Sequence, residues 1–207
     1  MIIAVDGPAA SGKGTIARKL AKFLGFHYLD TGSLYRAIAR DIIDSGQEIE
    51  NVEIARKAAL NLDPTSLDDP RLRYKGVGNA ASVIAGMAEV RDALLHYQRK
   101  FAAKPPGTVL DGRDIATVVC PNADVKLFIT ASIEERASRR YRELLEKNPE
   151  IKYSDVLETI IKRDERDRSR AIAPLKKAED AHLLDTTNLD IETAYKAAVE
   201  IINAVID

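Results

Sequence analysis

Ile2-Ile3-Ala4-Val5-Asp6-Gly7-Pro8-Ala9-Ala10-Ser11-Gly12-Lys13-Gly14-Thr15 decides how this chain is read. A short apolar run, Ile2 to Val5, has the length of a buried strand. The glycine-rich segment Gly7 to Thr15 follows it at once. Thr15 to Leu24 then carries Ile16, Ala17, Leu20, Phe23 and Leu24 at helical spacing. Strand, glycine-rich loop and helix in that order are the setting that the G-x-x-x-x-G-K pattern requires. Anionic oxygens need several backbone N–H donors aimed at one point. Glycines permit that curled backbone, and the start of the helix adds partial positive charge. Lys13 adds a compact cation. The segment is therefore expected to hold phosphates, with Gly7, Pro8, Ala9, Ala10, Ser11, Gly12, Lys13, Gly14 and Thr15 around them.

The same alternation continues outward from the loop. His27 to Leu29, Thr108 to Leu110, Val125 to Ile129 and His182 to Leu184 have strand length. Ser33 to Ile43 returns to helical period. Ser132 with Glu135 forms a capping box, and Asp190 is placed to cap a last helix running through Val205. Strands alternating with helices predict an α/β fold: a five-stranded parallel sheet with helices on both faces. Two stretches break the rhythm. Residues 44–103 show no clear strand and include Asp63-Pro64 and Asp68-Asp69-Pro70, which read as turns. Residues 133–170 are helical and dense in arginine. Both read as insertions into a single domain spanning residues 1–207.

The whole-chain numbers narrow the function classes. The length of 207 residues, with 45% apolar and 30% charged, suits one folded domain and argues against disorder. A net charge of -1 gives no global attraction to nucleic acid or anionic lipid, so any anion site must be built locally. One cysteine, Cys120, excludes an intramolecular disulfide and a Cys/His zinc cluster. Met1 to Asp6 does not read as a secretory leader, and no apolar run reaches the ~18 residues of a membrane span. A soluble, cytoplasmic protein is expected, with no nucleic-acid or membrane partner.

Three distant segments add detail: LDTGSLYR (Leu29 to Arg36), DGRDIATVV (Asp111 to Val119) and RDERDRSRAIAPL (Arg163 to Leu175). The ending Lys13-Gly14-Thr15 is typical of nucleoside monophosphate kinases, within the P-loop NTPases. Together these four segments resemble bacterial-type cytidylate kinases, and the resemblance covers nearly the whole chain. Asp-Gly-Arg-Asp is the most distinctive part, since adenylate and thymidylate kinases end that strand differently. The resemblance implies transfer of a phosphoryl group from ATP, with Mg2+, to CMP or dCMP by a monomer. It also makes 44–103 an acceptor-binding insert and 133–170 a lid.

The residue roles it implies are specific. Lys13, Arg113 and Asp111 would be catalytic, and Thr15 and Asp111 would hold the metal, the latter through water. Thr31, Tyr35, Arg36, Ser82, Arg91, Arg113, Asp114, Arg163, Asp167 and Arg170 would bind CMP, with Asp114 accepting from the cytosine amino group and Asp167 at the ribose. Arg136, Arg139, Arg140 and Arg142 suit a lid over ATP. The family carries a longer insert with a strand hairpin, for which Asp63 to Val77 is too short.

The residues alone agree with phosphoryl transfer, which needs positioning and charge neutralisation. A monophosphate acceptor is already an anion and needs no general base. The chain has three histidines, none in a catalytic-looking motif, and arginines gathered at three places. Read alone, Arg163, Asp167 and Arg170 also fit a salt-bridged, solvated helix face. A P-loop kinase for another acceptor, such as UMP or a shikimate-like alcohol, keeps the same chemistry. A guanine-specific switch would need Asn-Lys-x-Asp, which is absent. RNA binding at the last arginine cluster is opposed by Asp164, Glu165 and Asp167 and by the lack of aromatics there.

Overall fold

The computed structural model describes all residues except Lys75, Lys147 and Asp207; the first two fall inside the two predicted insertions, so those spans are described only around them. Five strands form one parallel sheet: β1 (Ile2–Asp6), β2 (His27–Asp30), β3 (Thr108–Gly112), β4 (Val125–Thr130) and β5 (His182–Asp185), in the order β2-β3-β1-β4-β5. All five predicted strands form, each one residue longer than its apolar run or, for β3, two.

Alternation along the strands sorts the core onto two faces. Ala4, Leu29 and Leu110 point to one side, where they meet Leu34, Ile38 and Ile42 of α2 (Thr31–Asp44), Ile84 of α4 (Val77–Ile84) and Leu94 of α5 (Ala88–Ala102). Ile3, Val5, Val109 and Leu127 point to the other, against Ile16 and Leu20 of α1 (Lys13–Leu24) and Ala198 and Ile202 of α8 (Ile191–Ile206). A fully buried side chain such as Leu20 contributes roughly 1.5–3 kcal/mol. Phe23, which helical spacing puts on that face of α1, instead stands 62% exposed, edge-on to Tyr195.

The interruption before β3 is helical. It comprises α3 (Val52–Leu60), two short 3-10 turns at Pro64–Asp68 and Pro70–Arg73, and then α4 and α5. Asp63 and Asp69 cap those turns through their side chains, which is why the Asp-Pro pairs stop the chain there. Among the described residues no hairpin stands between Asp63 and Val77. The second interruption is a helical pair, α6 (Ile133–Leu145) and α7 (Tyr153–Ser169), with its own small core of Ala137, Val156 and Ile160. The capping box at its start is half formed. The Glu135 N–H donates to Ser132 Oγ at 3.2 Å, but the Ser132 N–H donates to Thr187 Oγ1 and the Glu135 carboxylate is taken by Arg139.

The topology places the site. The chain leaves β1 toward β2 on one side and leaves β3 toward β4 on the other, yet β1 and β3 are neighbours. Their carboxyl ends therefore open a crevice at a switch point, where α/β sheets bind ligands. Asp6 and Gly7 leave one lip, and Gly112 and Arg113 the other. No helix among the described residues is long and apolar enough to cross a membrane.

Candidate active site

The loop Gly7 to Thr15 is shaped by what surrounds it. A Cβ on Gly7 would lie 1.9 Å from the carbonyl oxygen of Ile129, so the loop can pass β4 only with glycine there. At Gly14 a Cβ would sit 3.3 Å from Asp111 Oδ2, in the space between the helix start and that carboxylate. Lys13 is buried, and its ammonium donates to the Pro8 carbonyl at 3.5 Å. Burial pushes its pKa down to about 7, helped by the nearby Arg113 guanidinium. An anion beside Lys13 would reverse that shift. Thr15 is exposed at the first turn of α1.

Asp111 is the last residue but one of β3, directly across from Asp30 at the end of β2. Its Oδ2 accepts from the Tyr28 hydroxyl, and its backbone carbonyl accepts from Thr31 Oγ1 at 2.8 Å. Burial raises the Asp111 pKa, and the Asp30 carboxylate adds to the rise. Asp30 in turn pairs with Arg36.

Beyond β3 the cations gather. Arg113 donates from Nε to Asp167 Oδ2 at 2.8 Å and from Nη1 to the Gly112 carbonyl at 3.2 Å. Asp167 also accepts from Ser82 Oγ at 3.1 Å and lies 4.0 Å from Arg163. Burial alone would raise the Asp167 pKa, but Arg113 and Arg163 outweigh it and hold the carboxyl below its usual range. The Arg163 pKa is also lowered, to about 10, by burial first and then by Arg113. Asp114 pairs with Arg91 and lies 3.7 Å from Arg170. Burial raises the Asp114 pKa against the pull of Arg91. Arg91 also donates to the Ala85 carbonyl at 3.1 Å and lies 5.9 Å from the Tyr35 ring centroid. Ser11 Oγ, Arg163 Nε and Arg170 Nη2 are buried without a hydrogen-bond partner.

The structure thus brings Lys13, Asp111, Arg113 and Arg163 into one neighbourhood, with Ser82, Asp167, Arg91, Asp114, Tyr35 and Arg170 in contact beside it. Thr31 and Arg36 flank it at the start of α2. Two expectations change. Arg170 lies just past α7, with extended ψ, so it reaches Asp114 from a cap and not from the shared face of a helix. Arg136 is buried inward, its guanidinium on Ala131, Ala9 and Asp164, so it is withheld from any ligand above the loop. Arg142 is 68% exposed. Of the four arginines expected in a lid, Arg139 stands at the loop, donating to Thr186 Oγ1 at 3.0 Å and to the Thr186 carbonyl at 2.7 Å, with Nη1 3.7 Å from where a Gly12 Cβ would be.

The cytidylate kinase family profile matches residues 3–204. Curated relatives named cytidylate kinase include that of Rhodopseudomonas palustris (strain BisB18). It is 54% identical over 205 residues, covering 99% of this chain and 97% of the relative. That of Methylocella silvestris is 55% identical over 207 residues, covering 100% and 96%. The chain belongs to the cytidylate kinase family. Among solved structures, an uncharacterised protein from Eubacterium ventriosum aligns with a TM-score of 0.58 at 14% identity, covering 99% of each chain. TT1252 from Thermus thermophilus aligns at 0.51 and 19%, covering 100% of this chain and 98% of its own. Both support the fold alone.

Four residues outside the expected set also shape this cluster. Asp6 is 1% exposed, and its two oxygens accept from the N–H groups of Ile115 and Ala116 at 2.9 and 2.8 Å. It pins the segment after Asp114, where residues Ile115–Val119 make one wide helical turn. Burial raises its pKa to about 7. Tyr28, Asp30 and Thr186 brace Asp111, Arg36 and Arg139. Tyr28 and Asp30 lie in or beside the segment LDTGSLYR. Asp6 had one visible sign, an acid closing a buried strand. Thr186 had none.

Proposed function

We propose that this chain transfers the γ-phosphoryl group of ATP to CMP or dCMP, giving ADP and CDP or dCDP. The observation that carries the reading is the meeting of two cation-lined sites at one switch point. The loop with Lys13 is on one lip, and Arg113, backed by Asp167 and Arg163, is on the other. Phosphates held at the two sites repel each other, and cations between them stabilise the charge of the transfer state. The acceptor phosphate is already an anion, so no side chain need remove a proton.

In this reading the loop from Gly7 to Thr15 binds the ATP phosphates, and Lys13 follows the charge of the moving group. Arg36, Arg113 and Arg163 orient the acceptor phosphate, which guanidinium forks do bidentately. Asp114, held by Arg91, accepts from the cytosine amino group. Uracil would turn a carbonyl oxygen toward that carboxylate. Ser82 and Arg91 flank the base, Tyr35 and Thr31 close the pocket floor, and Asp167 and Arg170 hold the sugar side. We read residues 44–103 as the acceptor insert and 133–170 as a lid that keeps water from the γ-phosphate, with Arg139 as the lid arginine at the donor loop.

Mg2+ fits the donors present. No cluster of three His, Cys, Asp or Glu side chains stands at metal-holding spacing among the described residues. A protein cage is therefore not offered. The Thr15 hydroxyl and the Asp111 carboxylate are hard oxygens beside the loop, the partial set that suits Mg2+ brought by nucleotide phosphates. When bound, it would neutralise phosphate charge. Asp111 would face it through water, oriented by Tyr28.

A coupled assay across CMP, dCMP, UMP, AMP and dTMP tests the acceptor. CMP and dCMP are expected to lead, with kcat/KM for UMP lower by about tenfold or more. Best turnover of AMP or dTMP would end the assignment. A second measurement tests the donor site. With Lys13 at about 7 in the free protein, phosphates that raise its pKa must draw a proton onto it above that pH. Calorimetry of ATP binding at pH 8 in buffers of different ionisation enthalpy should show proton uptake. Lys13→Met should take up less. Equal uptake by both would detach Lys13 from the phosphates.

A further inference from the structure

Arg136 belongs to the arginine-rich helix α6, yet its side chain is spent inside the protein. It is 2% exposed. Nε donates to the Ala131 carbonyl at 3.0 Å, Nη1 to the Ala9 carbonyl at 3.2 Å, and Nη2 to Asp164 Oδ2 at 2.6 Å. One guanidinium thus joins the end of β4, the phosphate loop and α7. Its donors point in fixed directions, so it can serve all three acceptors only while they keep a fixed relation. Asp164 stands next to Arg163 and one turn before Asp167, the two residues of α7 assigned above to the acceptor. Its other oxygen, Oδ1, is buried without a partner, so the carboxylate depends on Arg136 for its compensation. The contact is reinforced by packing: Ala10, next to Ala9 in the loop, lies against the small core between α6 and α7.

We propose that Arg136 is a positioning residue that couples the two substrate sites, so that phosphates on the loop tighten acceptor binding on α7. The proposal rests on the donor and acceptor sites assigned above. Ligand N–H bonds along the loop fix where the Ala9 carbonyl points. Arg136 passes that constraint to Asp164, and part of the ordering of α7 is complete before the acceptor arrives. By linkage the effect is reciprocal: the acceptor tightens ATP by the same factor.

The test is a pair of calorimetric titrations, CMP with and without a saturating β,γ-imido analogue of ATP, and the analogue with and without CMP. The wild type is expected to show a coupling ratio of about 5-fold or more, equal in both directions. Two variants break the bridge. Arg136→Lys keeps the charge but cannot hold three acceptors. Arg136→Met combined with Asp164→Leu removes both charges, an exchange that buried pairs often tolerate. In each the ratio should fall to within about twofold of one, while each ligand alone binds within about threefold of wild type. A strut without a coupling role would lower the melting temperature and leave the ratio unchanged. An unchanged ratio in either folded variant overturns the proposal, as does a wild-type ratio of one. A wild type that binds the analogue but not CMP overturns the acceptor assignment itself, and the coupling with it. Arg136→Lys decides the matter if the double variant does not fold.

Discussion

Lys13→Met is expected to lower kcat by about 10^3-fold, the scale of losing one charge-stabilising group in phosphoryl or acyl transfer, while the protein stays folded. Activity falls because Lys13 is the ammonium carried by the loop itself, whereas Arg139 reaches the loop from α6 and is held by Thr186 and Glu135. Folding is retained because the buried stem is matched by methionine and a desolvated charge is removed. The pH dependence distinguishes this account from simple damage. Lys13 titrates near 7 in the folded chain and near 10.5 when unfolded. Between those values the unfolded chain binds more protons, so this group makes wild-type stability rise with pH. Its cost to the fold is full below pH 7 and fades toward 10.5. Lys13→Met should therefore melt higher than wild type at pH 6, with the gap closing by pH 9–10. A variant with wild-type kcat, or a gap that widens with pH, would contradict the placement of Lys13.

Much of this architecture could be read from the chain because its signals are local. A strand buried on both faces is apolar along most of its length, so the runs at Ile2, Thr108 and Val125 stood out. The loop is a single contiguous motif. The absence of a strand among the described residues between 44 and 103 was legible as a lack of strand-length runs, though its helices were not. The Asp-Pro turns were legible because each Asp caps the backbone two residues on. What escaped depends on groups far apart in the chain. Arg113 meets Asp167 across 54 positions, Arg91 meets Asp114 across 23, and Asp6 meets Ile115 across 109. Composition cannot separate Arg136 from Arg139 on one helix. Only the packing of α6 on α7 turns the first inward and leaves the second at the loop. Arg170 shows the reverse case. Periodicity placed it on α7, the helix ended one residue earlier, and its guanidinium still arrived near Asp114 by another route.

Arg113 has the second largest expected effect, and its argument depends on these long-range contacts. Arg113→Ala should cut kcat/KM for CMP by about 10^3-fold, since in the proposed reading the residue serves the acceptor phosphate as well as the carboxylate of Asp167. Two of its nitrogens are held by Asp167 and Gly112, and its charge stands near enough to Lys13 to help lower that pKa. Arg113→Lys restores a charge without the fork and should recover only part of the loss. Asp167 supplies an independent readout. Burial raises its pKa, and Arg113 contributes most to the combined pull, with Arg163 and Arg170, that holds it low. A carboxyl depressed in the folded state adds stability that is present above its unfolded pKa and lost as pH falls through the folded one. Removing Arg113 lets the Asp167 pKa climb. The variant should thus be less stable than wild type at neutral pH, with the difference shrinking as pH drops through 4. Ser82 and Arg163 still face Asp167, so the fold should survive at pH 7. The stability effect and the kinetic effect separate two roles. If Arg113→Ala shows the pH-dependent loss of stability but keeps wild-type kcat/KM for CMP, Arg113 is a strut for α7 and the acceptor phosphate lies elsewhere. If both appear, one guanidinium holds the lid helix and the substrate together.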